Sequence, residues 1–389
     1  MKVLHWPRMH TFDRYMARAI YGRVIFVLLG FVGLFALIDL VTEMENLGRG
    51  SYGLSQMIQF TLLRMPSMAA ELMPVASLIG ALWALAGLAG TSEFTVARAS
   101  GLRPMHVVST ILLVGLPLVV FTGVLSEGVV PWSEGAAARL RSGAMGSASV
   151  DSLRSGYWLR DSLGESTMSA DSQDTRERMV NLVSGTADGQ MRGVVMYEFD
   201  ANRRLLRVIR ADRAVVTEVP RPQGVVTRWV LENAKRITVR ADGGTRVDTI
   251  ASLELLSGLS STTLGALLVK PEQMSARDLW AYSRYLRSGR QSATRYELAF
   301  WKKVFYPPAV WVMLLLALPA AYLQARSGSV GLKVFLGIVA GVGFHLINSL
   351  FSHLGILGSW PPALVAAVPS LFALALAGAL LARIQRRAI

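Results

Sequence analysis

Residues 72–90 read LMPVASLIGALWALAGLAG, and residues 91–104 continue as TSEFTVARASGLRP. The first stretch is apolar throughout and approaches the ~20 residues that a helix needs to cross the hydrocarbon core of a bilayer. The second stretch carries Glu93, Arg98 and Arg103 into the short interval before the next apolar run. This pattern predicts a helical membrane protein in which a connecting segment is itself structured.

The composition of the whole chain agrees with a membrane protein. Of its 389 residues 52% are hydrophobic and 17% are charged, and the mean hydropathy is +0.41. The absence of cysteine excludes disulfides and thiolate metal sites. Six stretches are apolar and long enough to span a bilayer: 24–41, 72–90, 107–126, 304–323, 334–351 and 363–382. The spans form a 3+3 arrangement around a polar middle.

The distribution of Lys and Arg predicts the orientation. In the short loops they concentrate on one side, in the leader, in loop 91–104, between spans four and five, and at the carboxyl end. The positive-inside rule then places both termini in the cytoplasm and the polar middle outside, in the periplasm of the inner membrane if the cell is a Gram-negative bacterium. Basic and acidic residues nearly balance within 132–272, so the formal charge of +14 lies mainly at the membrane edges. There it is an orientation signal or a contact with lipid headgroups, and no nucleic-acid binding is expected.

The polar middle changes to a period of two. In GVVMYEFDANRRLLRVI, residues 193–209, apolar side chains alternate and Asp200-Ala201-Asn202 predicts a turn. The same alternation recurs in residues 228–250, RWVLENAKRITVRADGGTRVDTI, with a predicted turn at 242–244. We therefore predict an inserted all-β, jelly-roll-like domain over 132–272, between membrane halves at 1–131 and 273–389. Its sequence shows no catalytic or metal-ligating set of residues, which indicates a domain that binds a substrate or passes it to another protein.

Three features of the membrane part leave two interpretations open. Ser275 and Asp278 predict the start of an amphipathic helix before span four. The basic residues that follow either reach ordinary headgroups or bind an anionic substrate. Gly337 and Gly341 indicate close helix packing or a chance spacing. The 91–104 segment, capped by Ser92 and ended by Gly101, is either a solvated turn or a helix that docks into a soluble ATPase. The ATPase would be a separate chain, because this one has no P-loop with which to bind ATP.

Several segments of the chain resemble those of one known family. SEFTVARASGLRPMHV (92–107) resembles the cytoplasmic coupling segment of the LptF/LptG permeases, the membrane subunits of the lipopolysaccharide exporter, and FDRYMARAIYGR (12–23) resembles their amphipathic first helix. Three further segments resemble the LptG branch more than the LptF branch: GRGSYG (48–53), VVPWSEGAAARLR (129–141) and ATRYELAFWKKVFYP (293–307). The likeness covers essentially the whole chain.

The resemblance implies a transport subunit that is not itself an enzyme. It implies pairing with an LptF-like permease, an LptB-like ATPase dimer that uses the ATP and Mg, and an LptC-like periplasmic bridge protein. No cofactor is expected in this chain. Lipopolysaccharide would leave the outer leaflet of the membrane through openings at spans one and five.

The same resemblance assigns roles to individual residues. Glu93 would meet a basic residue of the ATPase, with Phe94, Val96 and Ala97 in its groove, and the full coupling set is Glu93, Phe94, Val96, Ala97, Arg98, Ser100 and Gly101. The apolar wall for acyl chains would include Phe26, Phe31, Phe35 and Phe335. The candidates for the anionic headgroup are Arg49, Arg64, Arg141, Arg295, Lys302 and Lys303. Relatives often carry lysines at the outer end of span one, whereas this chain has Asp39, Glu45 and Asn46 there.

Two other functions remain possible on the sequence. An ion-driven carrier would transport its substrate without ATP, and a membrane-tethered scaffold would bind periplasmic proteins without transport.

Overall fold

A computed structural model describes residues 11–100, 104–145, 157–161, 177–185, 190–221, 224–239, 244–257, 271–288, 292–322, 330–358 and 360–387. The amino-terminal half consists of helices α1 (Thr11–Glu43), α2 (Leu54–Gly90), α3 (Glu93–Ala99), α4 (Pro104–Val124) and α5 (Val130–Met145), the last two joined by a π-helical turn (Leu125–Val129). The carboxyl-terminal half consists of α6 (Ala276–Ser288), α7 (Thr294–Ala317), α8 (Pro319–Tyr322), α9 (Val330–Leu357) and α10 (Pro362–Arg387).

Five segments among the described residues are long and apolar enough to cross a membrane: Thr11–Asn46, Leu54–Gly90, Met105–Met145, Val334–Leu357 and Pro362–Arg383. They include five of the six predicted spans and indicate a multi-pass membrane protein. The predicted span 304–323 is divided instead. Pro319 has no N–H to bond to the Leu315 carbonyl, which accepts from Leu318 N at 3.2 Å, and α7 gives way to α8. Six unbroken transmembrane helices are therefore not confirmed.

Helix α2 lies at the centre of the membrane part, because its small residues let other helices approach closely. Ala81, Ala84 and Leu85 are fully buried in the main apolar core, which α1, α4 and α7 complete. At Gly80 an added Cβ would lie 2.6 Å from the Cα of Val24, so the backbones of α1 and α2 are in direct contact.

Helix α9 packs on the opposite face of α2. A Cβ on Gly337 would lie 2.3 Å from the Leu82 side chain, and one on Gly341 would lie 2.8 Å from that of Val75. The close-packing interpretation of this glycine pair is confirmed. Leu82 lies about 200° around the helix from Gly80 at 100° per residue. Helix α2 therefore stands between α1 and α9.

The polar middle folds as β-structure, as the alternating pattern predicted. Six antiparallel strands lie in chain order in one sheet: β1 (Tyr157–Asp161), β2 (Glu177–Gly185), β3 (Gln190–Phe199), β4 (Leu205–Arg221), β5 (Gly224–Val239) and β6 (Thr245–Ser257). The first predicted turn is confirmed, because the Asp200 carboxylate accepts from the N–H groups of Asn202 and Arg204 at 2.8 Å each. Asp242 and Gly243 of the second turn lie outside the described residues.

The sheet curls so strongly that its first and last strands enclose a common interior. Arg178 on β2 donates from Nη1 to the Leu256 carbonyl at the end of β6 (2.9 Å). Its guanidinium is buried between Glu198 (Nη2 to Oε1, 2.7 Å) and Asp161 (Nη1 to Oδ2, 3.4 Å). The described strands follow one another as a meander. The jelly-roll arrangement and the domain boundaries at 131/132 and 272/273 stay predictions, and α5 runs across the first of them.

Helix α6 joins the sheet to the membrane part. Its predicted start is confirmed by the Asp278 N–H, which donates to Ser275 Oγ at 3.1 Å. Leu279 and Leu286 are buried on its inner face. The Tyr285 hydroxyl donates to the Arg160 carbonyl at the end of β1 (2.9 Å), and burial, with Asp161 nearby, raises the pKa of Tyr285 to about 12. The Ala276 N–H at its start donates to Glu127 Oε2 in the π-helical turn at 2.8 Å, so the helix is anchored to both parts of the molecule.

The contact between α1 and α2 yields a stability prediction. Gly80→Ala forces two backbones apart, and overpacking of this kind costs about 1–3 kcal/mol. The matched control is Gly33→Ala on α1, where an added Cβ meets nothing within 4 Å. We expect thermal unfolding in detergent to show a lower Tm for Gly80→Ala and no decrease for Gly33→Ala. Equal Tm values would contradict the close crossing.

Candidate functional site

The charged segment after α2 is a helix, as one of the two sequence interpretations required. Ser92 turns the chain with φ +63°, a conformation that costs a non-glycine residue energy, and its carbonyl accepts from Val96 N at 3.0 Å as α3 begins. The Ser100 hydroxyl donates to the Ala97 carbonyl at 2.7 Å near the end of α3. Gly101, Arg103 and the Arg98 side chain lie outside the described residues.

The two large apolar side chains of α3 face in opposite directions. Phe94 is only 1% exposed and its ring meets the edge of Tyr322, with centroids 5.2 Å apart. Val96 is 66% exposed. The prediction that Phe94 packs in the groove of an ATPase does not fit this placement, because the main core of this chain holds its ring. Glu93 and Ala97 are half-buried, so Val96 is the large apolar side chain that α3 presents outward.

Helices α1 and α9 present apolar faces on either side of α2. Phe26 is 67% and Phe335 59% exposed, Phe35 is also exposed, and Phe31 is half-buried. The inner edge of the Phe26 ring contacts Trp83 of α2, with centroids 5.8 Å apart. A helix that is apolar around most of its circumference requires lipid or another protein on its outer side. The structure therefore places the predicted apolar wall on two separate outward surfaces.

Two of the predicted headgroup residues are ion-paired within the chain. Arg64 pairs with Asp39 and lies 3.9 Å (Nε to Oε1) from Glu134. Arg141 Nη2 lies 3.7 Å from Glu43 Oε1. Both guanidinium groups also lie over one aromatic ring, that of Phe60, at 5.6 and 5.2 Å from its centroid.

Sequence reasoning missed this cluster. It treated Asp39 as a departure from the family pattern and did not pair Glu43 or Glu134 with a basic residue. The signal was present, because Asp39 and Glu43 are four residues apart and therefore share a face of α1. Their carboxylates compensate the charges of Arg64 and Arg141.

A third predicted headgroup residue, Lys303, is a buried contact between helices. Its ammonium, 7% exposed, donates to the Ser126 carbonyl in the π-helical turn at 2.8 Å and lies 3.6 Å from Glu127. Burial lowers the pKa of Lys303, and Glu127 opposes that shift. Burial likewise lowers the pKa of Lys302, whose nearest opposing charges are Glu272 and Glu71.

Two of the predicted cations are accessible. Arg295 is 60% exposed, and its Nη2 lies 4.0 Å from a similarly exposed Glu272 carboxylate. Arg49 is exposed in the turn between α1 and α2. The structure thus separates the six predicted basic residues into paired, buried and accessible ones.

The arrangement of helices around an inserted sheet can be compared with known proteins. A family model described as "Lipopolysaccharide export system permease LptF/LptG" matches residues 14–383. The chain belongs to the LptF/LptG family. The family predicted from its motifs is therefore confirmed, and the match includes both membrane halves and the sheet.

Relatives of the LptG branch align along nearly the whole chain. "Lipopolysaccharide export system permease protein LptG" of Haemophilus influenzae is 29% identical over 374 residues, which cover 96% of this chain and 99% of the relative. The protein of the same name from Escherichia coli strain K12 is 31% identical over 363 residues, 92% of this chain and 94% of the relative. Together with the apolar helices, membership of the LptF/LptG family indicates a multi-pass protein of the bacterial inner membrane.

The opposite orientations of Phe94 and Val96 yield a second prediction. Phe94→Ala removes a ring from the core and we expect it to destabilise the chain by ~3 kcal/mol. Val96→Ala on the same helix changes an exposed side chain and should stay within about 0.5 kcal/mol of the parent. Thermal unfolding of both purified variants checks this, and a larger loss for Val96→Ala would show that α3 is oriented differently.

Proposed function

We propose that this chain is the permease subunit of an ATP-driven exporter that extracts lipopolysaccharide from the outer leaflet of the inner membrane. The single observation that carries the proposal is the family match over residues 14–383. The apolar faces of α1 and α9 support it, because a glycolipid needs such surfaces to leave the bilayer without exposing its acyl chains.

The apolar faces would form the cavity together with an LptF-like permease. Keeping an acyl chain out of water is worth ~0.8 kcal/mol per methylene, so the walls of the route must be apolar throughout. Phe26 and Phe35 on α1 and Phe335 on α9 would line it at two separate places. Two openings, one at each side of α2, would then be shared with the partner permease.

The anionic headgroup would bind at the accessible cations. Arg295 and Arg49 are exposed, and the half-buried Lys302 lies on α7, the helix that also carries Arg295. Arg64, Arg141 and Lys303 serve the fold instead, because neighbouring carboxylates already neutralise them. Since phosphate would have to displace those carboxylates, these three residues are the weaker candidates.

The sheet would pass the substrate to an LptC-like periplasmic bridge protein. Strands β1 and β6 are the edges of the described sheet, and an edge strand offers unpaired backbone groups that another strand can join. The proposed orientation, with this domain in the periplasm and both termini in the cytoplasm, is the one that allows such an addition.

Force would enter through α3. Val96 and the partly accessible Glu93 would contact an LptB-like ATPase dimer, which holds the ATP and Mg, so that this chain acts as a transport subunit and not as an enzyme. An exposed ion pair contributes little on its own. The apolar contact of Val96 would therefore contribute much of the docking energy.

The role of α3 can be tested with Glu93→Ala. We expect the purified complex to release less lipopolysaccharide per unit time on addition of ATP, because docking of the ATPase is weakened. The matched control is Glu45→Ala, which removes an exposed carboxylate in the turn after α1, away from α3. Unchanged assembly and release for Glu93→Ala would rule out the coupling role.

The same preparation separates the proposed function from its two rivals. An ion-driven carrier would transport without nucleotide when an ion gradient is applied. A scaffold would bind periplasmic proteins but release no lipopolysaccharide under either condition. Isolation of the chain with an ATPase, together with release that requires ATP, excludes both.

Photo-crosslinking tests the headgroup site. A photoreactive residue replacing Arg295 or Lys302 should form adducts with lipopolysaccharide, because both positions are accessible or partly accessible in the proposed route. The neighbouring Lys303, which is buried against the π-helical turn, is the matched control and should form none. Absence of adducts at both Arg295 and Lys302 would remove these residues from the site.

A further inference from the structure

Helix α6 presents a basic and aromatic face outward. Leu279 and Leu286 are buried in the apolar cluster that joins α6 to the start of α7. On the opposite side, the exposed residues recur at the spacing of a single helical face: Arg277, Trp280, Ala281 and Arg284. The inner face of α6 therefore serves the fold, whereas its outer face meets the surroundings.

The two arginines of the outer face have no carboxylate partner among the described residues. The guanidinium of Arg284 lies over the ring of Trp280, with Cζ 3.4 Å from the ring centroid. A guanidinium placed over an aromatic ring keeps its N–H donors free for phosphate oxygens. Asp278, the one acidic residue of α6, is bonded at the start of the helix, where Oδ2 accepts from Ser275 Oγ at 2.7 Å. The outer face is therefore cationic around one aromatic ring.

Contacts at the start of α6 fix its level relative to the spans. Glu127 follows the apolar run 107–126, Lys303 precedes the run that begins at 304, and their side chains lie 3.6 Å apart. The Ala276 N–H donates to the same Glu127 carboxylate at 2.8 Å. Trp280 lies one turn later, ~6 Å along the helix axis, and the headgroup layer on each side of a bilayer is about 5–8 Å thick. Trp280 therefore lies at the level of the headgroups, and its contact with Arg284 holds that guanidinium beside it.

Two other exposed tryptophans mark the same level. Trp132 on α5 is 65% exposed and closely follows Glu127 in the chain. Trp360, 49% exposed, precedes α10, whose Val365 packs with Leu298 near the start of α7. Tryptophan is enriched at membrane–water interfaces because its ring is apolar and its N–H is polar. The outer face of α6 thus continues a belt of side chains that suits lipid headgroups.

We propose that the outer face of α6 binds anionic phospholipid headgroups in the leaflet on the sheet side of the membrane. Arg277 and Arg284 bond the phosphates, and Trp280 lies between headgroups and acyl chains. A lipid surface fits this face better than a protein does, because the face consists of two cations, one ring and one methyl group and so offers little apolar area to a protein partner.

Binding of this kind has a consequence for the sheet. The Tyr285 hydroxyl of α6 donates to the Arg160 carbonyl of β1, so the lipid surface that holds α6 also sets the position of the sheet relative to the bilayer. The proposal requires only that the chain crosses a membrane. It is independent of the proposed export of lipopolysaccharide.

Quenching of tryptophan fluorescence by brominated lipids tests the proposal on the purified full-length chain. The nanodiscs contain equal parts of phosphatidylcholine and phosphatidylglycerol, without lipopolysaccharide or nucleotide, and bromine is carried on the acyl chains of one lipid at a time. We expect Trp280→Phe to remove a component that brominated phosphatidylglycerol quenches more strongly than brominated phosphatidylcholine. Trp158→Phe on β1 is the matched control and should leave that component unchanged, because Trp158 and Trp280 are both 53% exposed.

Replacement of the arginines tests the role of charge. Arg277→Gln combined with Arg284→Gln should abolish the excess quenching of Trp280 by the anionic lipid. The control is Arg192→Gln combined with Arg210→Gln, which removes two exposed arginines of the sheet and should keep the excess.

Three results would overturn the proposal. Quenching of Trp280 by neither lipid would leave the face to a protein partner. Equal quenching by both lipids in the parent, or an excess that survives loss of both arginines, would show contact with the bilayer without recognition of anionic headgroups. Export by the complete complex is a separate measurement, and its failure would count against the proposed function alone.

Discussion

The packing of the membrane part depends on small side chains where α2 contacts its neighbouring helices. Gly80 lets the backbone of α1 come into contact with α2, and Ala81 and Ala84 continue the narrow face into the core. On the opposite face of α2 the small residues belong to α9. Its Gly337 and Gly341 pack against the side chains of Leu82 and Val75 of α2. Lipid tails are as apolar as leucine, so helices in a bilayer associate through such shape complementarity and not through the hydrophobic effect.

This arrangement leaves α1 and α9 at the periphery, with outward faces that nothing in the described chain covers. The same two helices are the ones that family resemblance connects with openings for lipopolysaccharide. Their exposure follows from the position of α2 between them, because a helix whose main close contact is with α2 keeps most of its remaining surface for lipid or a partner. The small residues at the α1–α2 and α2–α9 contacts thus determine both how these helices pack and which faces are left for the proposed transport.

Charge is distributed by a different rule. Buried or half-buried charges are compensated inside the chain: Arg178 by Glu198 and Asp161 in the sheet, Arg64 by Asp39, and Lys303 by Glu127. An uncompensated charge in these positions would cost several kcal/mol of desolvation. Among the described residues, accessible or partly accessible cations such as Arg295 and Lys302 keep their charge available for an anionic lipid. The amount of basic sequence therefore overstates the size of the proposed headgroup site.

The sequence by itself determined five of the spans, the β-character of the middle and the family, because each depends on local hydrophobic period or on a contiguous motif. It offered the helix at 93–99 only as one of two interpretations. It did not reveal the division of span four, where Pro319 interrupts a run that remains apolar on either side. It did not reveal that Phe94 is buried in the core of its own chain, since the period of a seven-residue helix does not say which face meets its own protein and which meets a partner. Only the tertiary structure decided which of six cations were neutralised. Ion pairs such as Arg141 with Glu43 join residues about a hundred positions apart, and their distance is set by how α1, α2 and α5 pack and not by any local pattern.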